Sequence, residues 1–208
     1  MVRTQLRSRG ISDERVLAAM RQVPRHLFVP LQHRSAAYTD QALPIGYGQT
    51  ISQPYIVALM TSALSPGPGL RALEVGGGSG YQAAVLAACG MEVFSVERIP
   101  ELHAMARYNL ERSEMGRHVR LRLGDGSEGW PEEAPFDRIL IAAAAPEIPA
   151  ALRDQLRTGG VLVAPLGDSY LQTLYRCTKR EDGTLTQEPL EEVRFVPFVT
   201  GPDRTSDR

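Results

Sequence analysis

From residue 70 to residue 166 the chain switches repeatedly between short apolar runs and stretches of helical periodicity, and no other feature restricts its fold so sharply. The runs are "RALEVG" (71–76), "EVFSVE" (92–97), "VRLRLGD" (119–125), "FDRILIAAA" (136–144) and "GGVLVAPLG" (159–167). Helices are expected between them, from the glycine turn to Ala88, over 100–112 and over 149–156. Strands separated by single helices return by crossovers rather than tight turns. Right-handed βαβ units follow, and with them a mostly parallel central sheet flanked by helices. The expected fold class is α/β.

On either side the pattern changes. Ser12 or Asp13 can cap a helix over 12–20, whose Val16, Leu17 and Met20 form an apolar stripe, and Pro24 ends it. Residues 25–49 are turn-rich with scattered aromatics and read as irregular structure wrapped on a core, with Pro44 and Gly46 shaping a loop. Helix resumes in "SQPYIVALMTSAL", with Pro54 tolerated in its first turn. Beyond the core, "LQTLYRCTKR" and "EVRFVPFVTG" read as strands around a turn at "EDGT"; Pro197 limits how the second can pair, and "PDRTSDR" is expected to fray. A single domain is expected, with an N-terminal helical and loop region over 1–66, a core over 67–166 and C-terminal strands over 167–208.

Composition narrows the possible functions. With 208 residues, 43% of them hydrophobic, the chain can bury one core, and a net charge of -1 leaves no electrostatic footprint for nucleic acid. No apolar run approaches the ~20 residues that cross a bilayer, and "MVRTQLRSRG" has no signal-peptide centre. A cytoplasmic protein without a membrane partner is expected. Cys89 and Cys177 lack CxxC spacing and read as buried small hydrophobes, and the four histidines form no HxH or HxxxH pair. No metal is expected.

"ALEVGGGSGYQAAVLA" is a strand, a glycine-rich turn and a helix, the arrangement by which α/β folds bring backbone N–H groups and a helix N-terminus up to a ligand. Gly76, Gly78 and Gly80 remove the Cβ atoms that would block the approach. The spacing is GxGxG; the third glycine of a GxGxxG dinucleotide pattern would fall on Tyr81, which weakens a nicotinamide reading. Glu97 ends the next strand about 20 residues on, where an acid accepts from both hydroxyls of a ribose. Asp125, between two glycines after the third strand, can accept from an exocyclic amine while the Gly126 backbone lies against a base. The competing readings are a solvated carboxylate for Glu97 and an Asx-type turn for Asp125. Together these places describe an adenosine pocket without a triphosphate loop.

The glycine turn, Glu97 and Asp125 resemble the S-adenosyl-L-methionine site of class I methyltransferases, which implies a Rossmann-like fold. "LPIGYGQTISQPYIVALM" resembles the signature of one family among them, the protein-L-isoaspartate O-methyltransferases. The resemblance continues through "FDRILIAAAAPEIPAAL", "GGVLVAPLG" and "RFVPFVTG", with two departures: Gly77 where Thr is expected, and Phe198 where Leu is usual. It implies methyl transfer to the free α-carboxylate of isoaspartyl residues in damaged proteins and peptides, release of S-adenosyl-L-homocysteine, and repair through a succinimide. The cofactor set implied is Glu74, Gly76, Gly78, Ser79, Gly80, Glu97, Asp125 and Gly126.

The uncharged cluster before the second helix suits this chemistry. Transfer from a sulfonium to a carboxylate annihilates charge, so cationic clamping of the nucleophile would stabilise the ground state more than the transition state. A carboxylate is ionised near pH 7 and needs no general base; it needs placement and partial desolvation. Ser52, which the resemblance also gives as the active-site residue, can orient the carboxylate with one hydrogen bond, and Gln49, Thr50 and Gln53 complete a wall. The competing reading makes Ser52 the N-cap of the helix at Pro54. Loops at Pro44 and Ile45 and at Val196 and Pro197 are expected to hold the peptide through backbone groups. The enzyme is expected to be a monomer. Two other functions fit the same residues: a methyltransferase acting on Asp in one dedicated peptide, and a non-catalytic adenosine-nucleotide-binding module.

Overall fold

A computed structural model describes residues 1–168 and 170–201. Its centre is a seven-stranded sheet in the order β5-β4-β3-β6-β7-β8-β9. The strands are β3 (Arg71–Val75), β4 (Glu92–Glu97), β5 (Val119–Leu123), β6 (Phe136–Ile141), β7 (Leu156–Gly167), β8 (Gln172–Lys179) and β9 (Leu185–Val193). β5, β4, β3, β6 and β7 pair in parallel, and β8 and β9 add antiparallel. The helices are α1 (Glu14–Gln22), α2 (Pro54–Ala63), α3 (Tyr81–Ala88), α4 (Pro100–Arg112) and α5 (Ala150–Gln155).

Strand alternation divides the core into two. Leu73, Val75, Phe94 and Val96 face one cluster, shared with Phe136 and with Leu152 of α5. Ala72 and Val93 face the other, built with α1, α2, α3 and the N-terminal segment. Continuing along that second face, β3 and β4 present Glu74, Ser95 and Glu97, all buried, with Glu74 and Ser95 paired in register. Three polar side chains replace the apolar period at the carboxyl ends of two central strands. Buried polar groups are costly unless partnered, so this is where the fold gives up packing for a site.

Local chemistry accounts for the helix ends. Asp13, not Ser12, caps α1: its carboxylate accepts from the N–H groups of Arg15 and Val16. Pro54 occupies the first turn of α2, and Gln53 precedes it with no side-chain cap. Carbonyls at the far end of α2 are met from the sheet: Arg176 Nε donates to Ala63 O at 2.9 Å and Arg138 Nη2 to Ser65 O at 3.2 Å.

Two segments differ from expectation. Residues 43–51 are not irregular: Leu43–Gly46 (β1) and Gln49–Ile51 (β2) form a hairpin, turning at Tyr47 and Gly48, both with positive φ (54° and 70°). A Tyr in that conformation is no turn signature, and Pro44 speaks against a strand, so the sequence hides it. At the C-terminus the strand is Leu185–Val193 rather than 192–201. Its Pro189 sits on the sheet's edge beside a bulge where Leu190 has no partner on β8, the setting in which a strand tolerates proline. The frayed tail expected at 202–208 lies outside the described residues.

Candidate active site

The sheet reverses its winding between β3 and β6: the chain runs outward from β3 to β4 and β5, then crosses back to β6 on the other side of β3. Loops leaving the carboxyl ends of two such strands diverge, and a crevice opens between them. Here one loop is the glycine turn and the other begins at residues 142 and 143; both line a cavity whose further walls come from β2, the start of α4, Gly126 and residues 196–199.

The glycine turn is shaped by contacts beneath it. Gly80 caps α3 with a φ of 85°, and a Cβ there would meet Ala106 of α4 at 3.3 Å, so both conformation and clearance call for glycine. Glu97 ties the turn to α4: Oε2 accepts from Gly78 N at 2.8 Å and Oε1 from Ile99 N at 2.9 Å. It is 5% exposed and lines the cavity, so the solvated-carboxylate reading does not hold. Each of its oxygens keeps a lone pair for a further donor. Ser79 lies in the wall too, its carbonyl accepting from Asn109 Nδ2 at 3.0 Å.

Glu74 sits behind the turn and is not part of the wall. It is fully buried; Oε2 accepts from Ser95 Oγ at 2.5 Å, while Oε1 has no hydrogen-bond partner among the described residues. Burial, opposed by Ser95 and assisted by the charge of Glu97, pushes its pKa up to about 8. Glu74 is thus mostly a neutral acid at pH 7, and of the two side chains it is Glu97 that faces the cavity. At Gly77, the departure from Thr, a Cβ would come 2.6 Å from Ser95 Oγ as now placed. The Ser95 hydroxyl fills that space and points to Glu74.

Asp125 closes an Asx-type turn. Oδ1 accepts from Ser127 N and Ser127 Oγ, both at 2.8 Å, and Oδ2 from Gly201 N at 2.5 Å. Partial burial would raise its pKa, but those N–H groups outweigh it and hold the carboxyl below its ordinary range. The neighbouring Gly126 reaches the wall and Asp125 does not. A side chain at 126 would collide with Val75 Cγ1, which is why the turn can lie so close to β3.

A second cavity lies beside the first, walled by the start of α2 (Gln53, Ile56), Ala42 and residues 191–196. Thr50, Ser52, Ala142 and Val196 belong to both walls. Ser52 does not cap α2: the N-cap position is Gln53, whose side chain makes no cap bond, so the Ser52 hydroxyl is available at the junction. Val196 is placed by long-range backbone bonds: Ala144 N donates to Val196 O at 2.8 Å and Phe198 N to Ala144 O at 2.7 Å. Pro197 lines the first cavity only. Pro44 and Ile45 line neither; Ile45, 1% exposed, seats the hairpin on the glycine turn, its Cδ1 lying 3.5 Å from where a Gly78 Cβ would be.

Residues 1–203 match the sequence model of the family described as Protein-L-isoaspartate(D-aspartate) O-methyltransferase. The chain belongs to this family. Among its relatives, Protein-L-isoaspartate O-methyltransferase 2 of Marinobacter nauticus is 55% identical over 96% of this chain and 91% of its own length. Protein-L-isoaspartate O-methyltransferase of Methanoculleus marisnigri is 54% identical over 96% and 90%. A solved structure from Plasmodium falciparum, described as a protein-L-isoaspartate O-methyltransferase in complex with S-adenosyl-L-homocysteine, superposes with a TM-score of 0.81 at 29% identity, covering 94% of this chain and 95% of that one. Another structure of a protein-L-isoaspartate O-methyltransferase gives 0.82 at 31% identity over 92% of this chain; this chain spans 62% of that one. The fold is that of class I methyltransferases.

Several wall residues escape sequence reasoning. Ile99 and Ala142 follow the carboxyl ends of β4 and β6, a position that could have singled them out. Tyr81, Leu102, Phe195 and Glu191 carry no such local signal. Cys89 and Cys177 are free and buried, and burial pushes their pKa values up to about 12 and about 11. Among the described residues no cluster of three or more His, Cys, Asp or Glu could hold a metal ion, and no helix is long and apolar enough to cross a membrane.

Proposed function

We propose that this protein transfers a methyl group from S-adenosyl-L-methionine to the free α-carboxylate of L-isoaspartyl residues in proteins and peptides, releasing S-adenosyl-L-homocysteine and opening repair through a succinimide. The observation that carries the reading is the pair of cavities meeting at Ser52 and Thr50. A donor in one and an acceptor in the other come together beside these shared residues, which also include Ala142 and Val196.

The first cavity fits the cofactor: three glycines open the turn to a ligand, and a buried carboxylate with free lone pairs faces it. The cofactor supplies an activated methyl on a sulfonium. In this reading Glu97 accepts from the ribose hydroxyls. Gly76, Gly78, Ser79 and Gly80 present the turn, and Gly126 lies against the base. Asp125 acts on the adenine through the turn it closes and Glu74 supports the glycine turn from beneath; both are positioning roles. In the second cavity Ser52 Oγ donates to the acceptor carboxylate, Thr50 and Gln53 keep the side next to it uncharged, and Val196 offers backbone groups to an extended peptide, with Pro197 following it on the wall of the first cavity. Pro44 and Ile45 act on the peptide only through the hairpin they build. No residue serves as a base, since the carboxylate arrives ionised.

Both the N-terminal hairpin and the C-terminal segment supply walls, so regions 1–66, 67–166 and 167–208 act as one domain. We place the enzyme in the cytoplasm as a monomer, with neither nucleic acid nor membrane as partner. Its near-neutral net charge supports the first of those two exclusions. The test is a pair of peptides differing only in one isoaspartyl or aspartyl link. In the isoaspartyl twin the α-carboxylate hangs directly on the Cα; in the normal twin the side-chain carboxylate sits one methylene further out and misses the methyl. Methyl-ester formation on the isoaspartyl peptide alone is expected, and equal turnover of the two would point to a dedicated aspartyl substrate instead.

A further inference from the structure

The acceptor cleft has walls from opposite ends of the chain: the start of α2 on one side and residues 191–196 on the other. α2 lies outside the sheet and β9 is its edge strand, so no strand pairing sets the gap between them. Behind the cleft, Arg9 joins the two. Its guanidinium carbon lies 3.4 Å from the centroid of the Tyr55 ring, Nη1 is 3.0 Å from Asp40 Oδ2, and Nη2 is 3.6 Å from Glu191 Oε1. Tyr55 is the second residue of α2 and is buried; burial first, then the Glu191 carboxylate facing its phenol, push the phenol's pKa upward. Asp40 also reaches the free first turn of α2, its Oδ1 accepting from Tyr55 N at 3.4 Å. Neither Arg9 nor Tyr55 lines either of the two cavities.

We infer that Arg9 is a positioning residue for the acceptor peptide: one planar cation, stacked on Tyr55 and bridging Asp40 to Glu191, fixes the distance between the Ser52 end of α2 and the 191–196 wall, and so the width of the cleft. A guanidinium can do this because its face stacks while two edges meet two carboxylates; an ammonium can satisfy only the charges. The side chains are partly exposed, so the ionic part of the clamp weakens with salt. The inference rests on the second cavity being the acceptor cleft.

The test compares Arg9→Ala, Arg9→Lys and Tyr55→Phe with the unaltered enzyme, using an isoaspartyl peptide, S-adenosyl-L-methionine and thermal unfolding. Arg9→Ala should raise the peptide KM roughly tenfold with cofactor affinity unchanged, and Arg9→Lys should fall between. Added salt should raise the KM of the unaltered enzyme more than that of Arg9→Ala. An unchanged peptide KM in Arg9→Ala would overturn the inference, as would peptide KM, cofactor affinity and Tm all worsening together. Should Arg9→Ala not fold, Arg9→Lys decides it, since it keeps the charge and loses the stacked plane: a raised peptide KM there supports the clamp and an unchanged one removes it. A KM raised as far by Tyr55→Phe, which keeps the ring and both ion pairs, would move the link from Arg9 to the phenol and overturn the inference. Ser52→Ala separates this from the underlying reading: if it turns over at the wild-type rate, the cleft assignment falls and the clamp with it. A slow Ser52→Ala beside an inert Arg9→Ala sinks the clamp alone.

Discussion

Ser52→Ala distinguishes an acceptor-orienting hydroxyl from a helix cap, and the structure sets the size of each effect. Loss of an N-cap costs about 0.5–2 kcal/mol. For a protein of this size each kcal/mol moves Tm by about 2–4 °C. Ser52 caps no helix here, so the expected change is that of an ordinary substitution, within about 0.5 kcal/mol and at most about 2 °C. At the reacting carboxylate the loss is larger, because a hydrogen bond to an ionised group contributes about 1.5–3 kcal/mol. If it acts at the transition state, the single-turnover rate falls roughly tenfold to 150-fold. An effect on ground-state binding would raise the peptide KM instead. Single-turnover methylation, cofactor calorimetry and thermal unfolding on one preparation resolve these. A slow variant with normal Tm and normal cofactor affinity is expected. A variant several degrees less stable that methylates at the wild-type rate would refute the reasoning and make the cluster structural.

Glu97→Gln keeps the side chain's volume but turns an amide N–H toward a backbone N–H it now accepts from; it should weaken cofactor binding roughly tenfold to 100-fold, and unchanged calorimetric affinity in the folded variant would remove Glu97 from the site. Glu74 gives a pH signature. Its pKa is raised from 4.5 to about 8, so the folded state holds a proton that the unfolded chain releases. That contribution is fully present below the unfolded pKa and is lost as pH rises to about 8, at up to about 1.4 kcal/mol per pH unit, so Glu74→Gln should flatten the decline in denaturant midpoint across this window. An equal decline in both proteins would mean that Glu74 is ionised when folded. Asp13→Ala, which removes the cap of α1, should cost about 0.5–2 kcal/mol in unfolding free energy and leave methylation by the folded enzyme unchanged. With saturating substrates kcat should stay flat from about pH 6 to 8, since no base is required; a histidine-like titration in that range would contradict the mechanism.

Local periodicity and turn chemistry were enough for the parallel core. β3 to β7, the glycine turn and the acid ending β4 can each be read within a window of about 20 residues, because side-chain alternation, helical period and glycine placement are properties of neighbouring residues. Glu97 was legible for that reason, and so was the uncharged cluster around Ser52. The division of labour between two carboxylates was not: Glu74 and Glu97 look alike in sequence, and only strand register, which stacks Glu74 against Ser95 under the turn, makes one neutral and leaves the other facing the cavity. The same holds for Asp125, whose carboxylate is held by an N–H 76 residues away. The hairpin at 43–51, the edge strand with its bulge at Leu190, and the attachment of Val196 to Ala144 belong to tertiary structure too. So does the meeting of two cavities at Ser52. Each depends on which strands become neighbours, and that is decided by crossover handedness and by burial of two whole faces at once, quantities that no short stretch of chain contains.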